Sequence, residues 1–123
     1  MTADPEGEMR LRRLPDGGTE FRMRLAADYP GFQGHFPGDP VLPGMCHVFL
    51  ATRAAGKACG REVLLAKVLR ARFSRKVVPG EELRILLTLE KASGEEAPGG
   101  PVRVRSSHSV EGEPAAELQL EVQ

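Results

Sequence analysis

The feature that most constrains the fold of this chain is one Ala-rich, Pro-free segment, "MCHVFLATRAAGKACG" at residues 45–60. Its apolar side chains occur nearly all round a helix, which predicts a buried helix. About 14 residues of helix would be roughly 20 Å long. Elsewhere, apolar and polar residues mostly alternate with the period of a strand. The chain therefore has to bury one helix against strands.

Strand patterns precede and follow this helix. Residues 8–14 and 19–26 alternate on either side of "PDGG", which predicts a hairpin. Four more strands are predicted after the helix, at 62–78, 83–91, 102–110 and 115–122. "EGEP" is the predicted turn between the last two, and 92–100 is a polar connection. The sequence predicts an α+β fold, a curved antiparallel sheet packed around one helix, in a single domain over 1–123.

Charge and composition exclude several classes of protein. The chain has 17 basic and 17 acidic residues, and this balance does not point to nucleic acid or to a membrane surface. The polar N-terminus is unlike a signal peptide, and no apolar run approaches the roughly 20 residues of a membrane span. We therefore expect a cytoplasmic protein. Cys46 and Cys59 lack metal-ligand spacing, which favours buried free thiols over a disulfide.

The segment before the helix, "PGFQGHFPGDPVLPG" at residues 30–44, has four glycines and four prolines. Pro fixes φ near −65°, whereas Gly permits backbone shapes that other residues resist. This pattern predicts a rigid, irregular loop, and His35 is the side chain that such a loop would place. Asp39 precedes a proline and is better explained as a turn initiator than as a partner for His35.

Two stretches of the sequence resemble a known family. "GHFPGDPVLPG" followed by an apolar helix is similar to the signature of the 3-hydroxyacyl-[acyl-carrier-protein] dehydratases, which have the hotdog fold. "RARFSRKVVPGEEL" resembles the strand and turn that follow the helix in that family. The matching blocks are residues 32–53 and 70–83. The order of the predicted elements also agrees over nearly the whole chain.

The resemblance implies an assembly and a reaction. It implies a dimer, or a trimer of dimers, in which two sheets join edge to edge and two acyl tunnels lie at the subunit interface. The reaction it implies is elimination of water from a (3R)-3-hydroxyacyl thioester. The substrate would be carried on the phosphopantetheine arm of an acyl carrier protein, as in fatty acid or polyketide-type biosynthesis. No metal and no bound cofactor would be needed.

The resemblance also implies roles for individual residues. A neutral imidazole can accept the α-proton of a thioester at physiological pH, so His35 would be the base. Gly44 would begin the helix, where its backbone N–H, supported by the helix dipole, could stabilise the thioester oxygen. The acyl tunnel would be lined by Phe36, Met45, Phe49, Arg53, Leu69 and Phe73.

One position departs from the family. In members of the family, an acidic residue five positions after the loop glycine helps to protonate the departing hydroxyl. Here that position is Phe49, which cannot donate a proton, and Arg53 one turn on is a poor acid. His47 lies about 200° round the helix from Phe49. His47 and His108 have no comparable sequence frame, and we interpret both as structural or surface histidines.

Four readings of the function remain open. The chain could be a dehydratase in which His35 serves both steps or borrows an acid that the sequence does not locate. It could be a subunit that needs the acid of another hotdog partner in a heterodimer. It could also be a non-catalytic module that binds acyl thioesters or their carrier protein. A thioesterase is the weakest reading, because the sequence offers no obvious carboxylate to position a water.

A basic cluster suggests a surface for the carrier protein. Acyl carrier proteins are usually acidic, and Arg70, Arg72 and Lys76 would share one strand face by period two. This face could be a docking patch or simply a solvated strand face, and the sequence does not separate the two.

Overall fold

The computed structural model describes residues 9–32, 41–91 and 100–123, which form a six-stranded antiparallel sheet and one long helix. The strands are β1 (Arg10–Arg13), β2 (Thr19–Arg24), β3 (Leu65–Phe73), β4 (Glu82–Lys91), β5 (Val102–Val110) and β6 (Glu113–Val122). The helix, α1, is Gly44–Cys59, and a 3₁₀ turn at Pro30–Phe32 precedes it. The predicted order of elements and the α+β class are confirmed.

The sheet has the strand order β1-β2-β4-β5-β6-β3, so that β1 and β3 form its edges. Two hairpins follow from local turn chemistry. "PDGG" joins β1 to β2, and Asp16 Oδ1 accepts a hydrogen bond from Gly18 N at 2.9 Å. Between β5 and β6, Glu111 and Gly112 both have positive φ, 50° and 82°, as a two-residue hairpin turn requires. This turn is shorter than the predicted "EGEP", because Glu113 already pairs with Val110.

Helix α1 packs on one face of the sheet, against β4, β5 and β6. Its buried face is built largely from small side chains, Ala51, Ala54 and Ala55, which allow the helix to approach the strands closely. The strands present alternate residues to this helix, as the period of two predicts. Fully buried strand residues include Phe21, Met23, Leu83, Ile85, Leu87, Val104, Leu120 and Val122.

Two details of the sequence-based prediction are wrong. The helix is not buried all round, since Met45 and Phe49 are each 52% exposed. The strand predicted over 62–78 is limited to Leu65–Phe73. After Phe73 the chain leaves the sheet and buries Val77 in the core, where Val77 O accepts a hydrogen bond from Leu42 N at 2.8 Å. That hydrogen bond ties the segment after β3 to the start of the helix.

Strand β3 is one of the two exposed edges of the sheet, and β1 is the other. Strand β3 pairs with β6 on one side, and eight of its nine residues are exposed. Val68 and Leu69 are 45% and 44% exposed, which is unusual for apolar side chains of a sheet. An exposed edge of this kind is a template for pairing with another chain.

Three further observations concern membrane-spanning helices, metal sites and the two cysteines. Among the described residues, no helix is both long and apolar enough to cross a membrane. Within the same ranges, no group of three or more His, Cys, Asp or Glu side chains could hold a metal ion. Cys46 and Cys59 are free thiols, as expected, although both are half-buried rather than buried.

Candidate active site

The loop predicted to carry the base is described at its two ends. His35, Phe36 and Asp39 lie outside the described residues, and the role of His35 therefore stays a prediction. On the N-terminal side, the rings of Tyr29 and Phe32 meet edge to face with centroids 5.9 Å apart, and Phe32 is buried. On the C-terminal side, Leu42 is buried and bonded to the chain after β3.

The helix begins at Gly44, where the resemblance placed the donor to the thioester oxygen. The N–H groups of Cys46 and His47 both donate to Pro43 O, at 3.0 and 3.4 Å. Those of Gly44 and Met45 have no hydrogen-bond acceptor within the described part of the chain. Among the described residues, nothing caps the positive end of the helix dipole at this point.

Phe73 packs directly on Gly44. A Cβ atom at position 44 would lie 2.9 Å from the Cζ atom of the Phe73 ring, closer than real side chains approach. Glycine at position 44 therefore lets the Phe73 ring lie against the start of α1 in this position. The structure brings together these two predicted site residues.

An open cavity of about 400 Å³ lies at this junction, and we call it the helix-start cavity. It is lined by Val41, Leu42, Gly44, His47, Phe73, Ser74, Arg75 and Lys76. Arg75 donates two hydrogen bonds to the Glu81 carboxylate, at 3.1 and 2.8 Å, and this ion pair lowers the pKa of Glu81. The pair holds the segment after β3 against the start of β4, and so fixes one wall of the cavity.

The other predicted tunnel residues are on an exposed face of the protomer. Met45, Phe49 and Arg53 follow one another at intervals of four, so they share one face of α1, and all three are exposed. Leu69 is exposed on the edge strand. These side chains could line a tunnel only if a second subunit covered them.

The two remaining histidines form a contact that the sequence did not predict. The Nδ1 atoms of His47 and His108 are 2.8 Å apart, and His108 Nε2 is 2.6 Å from Ser106 Oγ. Both histidines are almost fully buried, at 2% and 1% exposure, so the surface interpretation is wrong. The two positions are 61 residues apart, and only the packing of α1 on β5 brings them together.

Burial decides the charge of this histidine pair. Because the folded protein desolvates an imidazolium, the pKa of His47 falls to about 4. Burial lowers the pKa of His108 to about 3, and repulsion from a charged His47 adds to that effect. Both rings are therefore neutral at pH 7, and each carries a single N–H.

The predicted basic patch divides into two places. Arg70 and Arg72 lie on one exposed face of β3 and line a groove with Arg105 and Glu117 on the sheet. Lys76 follows the end of β3 and lines the helix-start cavity instead. The expectation that all three share one strand face is wrong, because the strand ends at Phe73.

The sheet and helix are those of a hotdog protein, and the candidate site lies at the start of the helix. The ApeI-like family model, described as ApeI dehydratase, matches residues 12–98. The chain belongs to this dehydratase family. The resemblance in the loop and helix is thereby confirmed at the level of the family.

Curated relatives agree with this assignment. The chain is 37% identical over 93 residues to the 3-hydroxyacyl-[acyl-carrier-protein] dehydratase FabZ of Pelotomaculum thermopropionicum. That alignment covers 69% of this chain and 66% of the relative. The chain is 37% identical over 101 residues to FabZ of Roseobacter denitrificans, covering 74% and 64%. Its matches thus span less than two thirds of the length of these relatives.

Solved structures show the same fold. The ApeI:P dehydratase heterocomplex from Xenorhabdus doucetiae superposes with a TM-score of 0.75 and 14% identity, over 92% of this chain and 93% of that one. The PaaI protein of E. coli gives a TM-score of 0.69 and 15% identity, over 96% and 83%. At these identities the similarity supports the fold alone.

The neutral histidine pair predicts how stability depends on pH. An unfolded histidine titrates near pH 6.5, whereas the folded values are about 4 and about 3. Below pH 6.5 the unfolded chain therefore binds more protons than the folded chain. The free energy of unfolding should fall as the pH falls from 6.5 towards 4, by up to about 1.4 kcal/mol per pH unit for each histidine.

Denaturant titration between pH 7.5 and 5 measures this slope. The lowered pKa values of Glu20, Glu81 and Glu82 place their contributions below that range. His47→Gln and His108→Gln should each flatten the slope, whatever they do to the stability at pH 7.5. A free energy of unfolding that stays constant between pH 6.5 and 5 in the parent chain would contradict this account.

Proposed function

We propose that this chain is a dehydratase subunit that removes water from a 3-hydroxyacyl thioester carried by an acyl carrier protein. The observation that carries the proposal is the start of α1 at Gly44, which lines the helix-start cavity and whose N–H has no acceptor among the described residues. In the sequence it directly follows "GHFPGDPVLP". Membership of the ApeI-like dehydratase family supports it. The phosphopantetheine arm of the carrier would bring the thioester to this cavity, and no resident cofactor takes part.

The first step of the proposed reaction needs a base and an oxyanion donor. His35 takes the proton from C2, and the electrons of the C2–H bond move towards the thioester carbonyl, whose oxygen gains negative charge. The N–H of Gly44, with the helix dipole behind it, stabilises that charge. The charge then returns to form the C2=C3 bond, and the C3–O bond breaks as the oxygen takes up a proton and leaves as water.

The second step needs a proton donor for the hydroxyl, and Phe49 cannot supply it. General acid assistance is typically worth about 10²–10⁴-fold in rate. His35 could return the proton that it took from C2, which requires one group to serve both positions. Alternatively, a carboxylic acid from a partner subunit could stand opposite His35. The exposure of Phe49 on α1 favours a second subunit at this point, since a partner would cover it.

A dimer through β3 is part of the proposal. The edge strand and the exposed face of α1 carry large apolar side chains that a second sheet joined edge to edge would cover. These side chains are Met45, Phe49, Val68, Leu69 and Phe73. The partner is a second copy of this chain or another hotdog subunit. A chain of the ApeI:P dehydratase heterocomplex has the same fold, so a hotdog subunit can take part in a dehydratase heterocomplex.

Two other functions compete with this one. Phe49 in place of an acid would suit a module that binds acyl thioesters without turning them over, and the activity measurements below separate that case. A thioesterase is less well supported, because hydrolysis needs an activated water. None of the described residues that line the helix-start cavity is a carboxylate that could position one.

The proposal also includes a surface on which the acyl carrier protein would dock. Arg70 and Arg72 are exposed on one face of β3, where an acidic carrier protein could bind. Lys76 stands apart from them, at the helix-start cavity. It is therefore suited to contact the phosphate of the pantetheine arm rather than the surface of the carrier.

The His35→Ala variant tests the assignment of the base. If His35 removes the C2 proton, this variant should lose hydration of an enoyl thioester by about 10²–10⁴-fold. The melting temperature should stay close to that of the parent, because we expect a histidine of the Gly/Pro loop to add little to the core. Asp39→Asn in the same loop is the matched control, and we expect its activity to stay within a few-fold of the parent. A His35→Ala rate within a few-fold of the parent would remove His35 from the mechanism.

The Phe49→Glu variant and a mixed dimer test the missing acid. The chain alone should dehydrate a 3-hydroxyacyl thioester slowly. Adding an acid-bearing hotdog dehydratase whose own base histidine is replaced should raise the rate, since its acid would then stand opposite His35. Phe49→Glu should raise the rate of the chain without a partner. Steady-state dehydration measures all three, with Phe49→Gln as the matched control for the lost ring.

Full, family-like dehydration by the chain alone would overturn the shared-site proposal. In that case the acid would be a group that the chain itself contains. An inactive mixture that nevertheless forms a stable mixed dimer would favour the non-catalytic binding module.

A further inference from the structure

His47 is the one almost fully buried polar side chain among the described residues that line the helix-start cavity. The other polar side chains there, Ser74, Arg75 and Lys76, lie at least partly at the surface. The Nδ1 atom of His47 is engaged with His108 at 2.8 Å. Because no described residue engages the Nε2 atom, it is the ring nitrogen through which His47 could bind a ligand in the cavity.

The protonation of the pair can be derived from its hydrogen bonds. A neutral imidazole has one N–H and one acceptor nitrogen. The lowered pKa values of both histidines keep both rings neutral at pH 7. Of the two facing Nδ1 atoms, one must therefore donate its proton and the other must accept it.

Ser106 decides which nitrogen donates. Ser106 is 2% exposed, and His108 Nε2, at 2.6 Å, is the partner that the described residues give its hydroxyl. If His108 Nε2 carried a proton, the Ser106 hydroxyl would accept that proton's hydrogen bond. Its own O–H would then be buried without an acceptor in the described region. Buried donors are rarely left in that state, so the Ser106 O–H donates to His108 Nε2.

The direction of the other hydrogen bonds follows from this one. His108 Nε2 is an acceptor, so the proton of His108 is on Nδ1 and is donated to His47 Nδ1. His47 then carries its proton on Nε2. The chain of hydrogen bonds that starts at a serine of β5 thus ends in an N–H donor at the start of α1.

We infer that His47 is a second oxyanion donor, whose Nε2–H binds the carbonyl oxygen of a thioester in the helix-start cavity beside the N–H groups of Gly44 and Met45. His108 and Ser106 are positioning residues that fix the tautomer and orientation of His47. The identity of the ligand as a thioester rests on the proposed function. The donor itself follows from the contacts of the described residues.

No proton is transferred at His47. While His35 removes the C2 proton, electrons move onto the carbonyl oxygen, and the hydrogen bond from His47 Nε2–H strengthens as that oxygen becomes negative. When the C3–O bond breaks, the charge leaves the oxygen again, and His47 retains its proton throughout. Because the hydrogen bond is strongest at the charged stage, it accelerates the reaction rather than only binding the substrate.

Kinetics of His47 variants test the donor. Removing one oxyanion donor typically lowers kcat by about 10²–10³-fold. His47→Phe keeps the ring volume without a donor and should show such a loss with KM changed only a few-fold. His47→Gln retains an amide N–H and should recover at least about ten-fold of that loss. Thr52→Val, which removes a hydroxyl bonded to Val48 O within the same helix, is the matched control.

Variants of Ser106 test the positioning role. Ser106→Ala removes the hydroxyl that sets the tautomer of His108, so kcat should fall and part of the His47 population should carry its proton on Nδ1. Ser106→Thr keeps the hydroxyl and should restore both properties. A merely structural serine would change the melting temperature without moving the tautomer.

Nitrogen NMR of the parent chain tests the inference without any variant. Long-range proton–nitrogen spectra of chain labelled with ¹⁵N-histidine distinguish protonated from unprotonated ring nitrogens. We expect His47 to be protonated on Nε2 and His108 on Nδ1. Butyryl-pantetheine, a thioester that cannot eliminate water, should shift the His47 Nε2 signal.

The outcomes separate this inference from the proposed function. A His47 proton on Nδ1, or a Nε2 signal unmoved at the highest soluble concentration of butyryl-pantetheine, would overturn the inference even in an active enzyme. A parent chain without dehydration, alone or with an acid-bearing partner, would overturn the proposed function. The NMR result would still decide the role of His47 in that case, because it needs no turnover.

Discussion

The packing of one alanine-faced helix on a six-stranded sheet is the constraint on which the rest of the structure depends. Ala51, Ala54 and Ala55 let α1 lie close to the central strands, and the core of the sheet is buried beneath it. A single helix covers only part of this sheet and is itself covered on only one side. The outer face of α1 and the edge strand β3 are left exposed, with Phe49 and Leu69 among their apolar side chains.

The same packing creates the site. Because the first turn of α1 lies over the end of β3, Phe73 meets Gly44, and both residues line the helix-start cavity. One turn into the helix, His47 is held against His108 of β5. A polar contact in a core is tolerated only where its hydrogen bonds are satisfied, and the Ser106 hydroxyl completes this one. The core and the site are therefore coupled through one line of hydrogen bonds.

The sequence predicted the fold well because its signals are local. Period-two alternation marked the strands, and the Ala-rich segment marked the helix, while the start of the helix at Gly44 came from the family resemblance. The end of β3 was missed because burial of Val77, a tertiary effect, takes the chain out of the strand pattern. The histidine pair was missed for the same kind of reason. Nothing at positions 47 or 108 alone shows that helix packing and sheet register bring the two rings together.

The central claim is that the chain retains the base and the oxyanion donors of a dehydratase but lacks the acid at Phe49. Exchange of the C2 proton needs only the first two, whereas fast loss of water needs all three. The direct measurement incubates the purified chain with a 3-hydroxyacyl pantetheine thioester in D₂O and follows deuterium entry at C2 and enoyl formation in the same sample. The account predicts that deuterium enters C2 at least about ten-fold faster than water is eliminated, because the missing acid typically contributes about 10²–10⁴-fold. Exchange no faster than in buffer alone, or elimination that keeps pace with exchange, would contradict it.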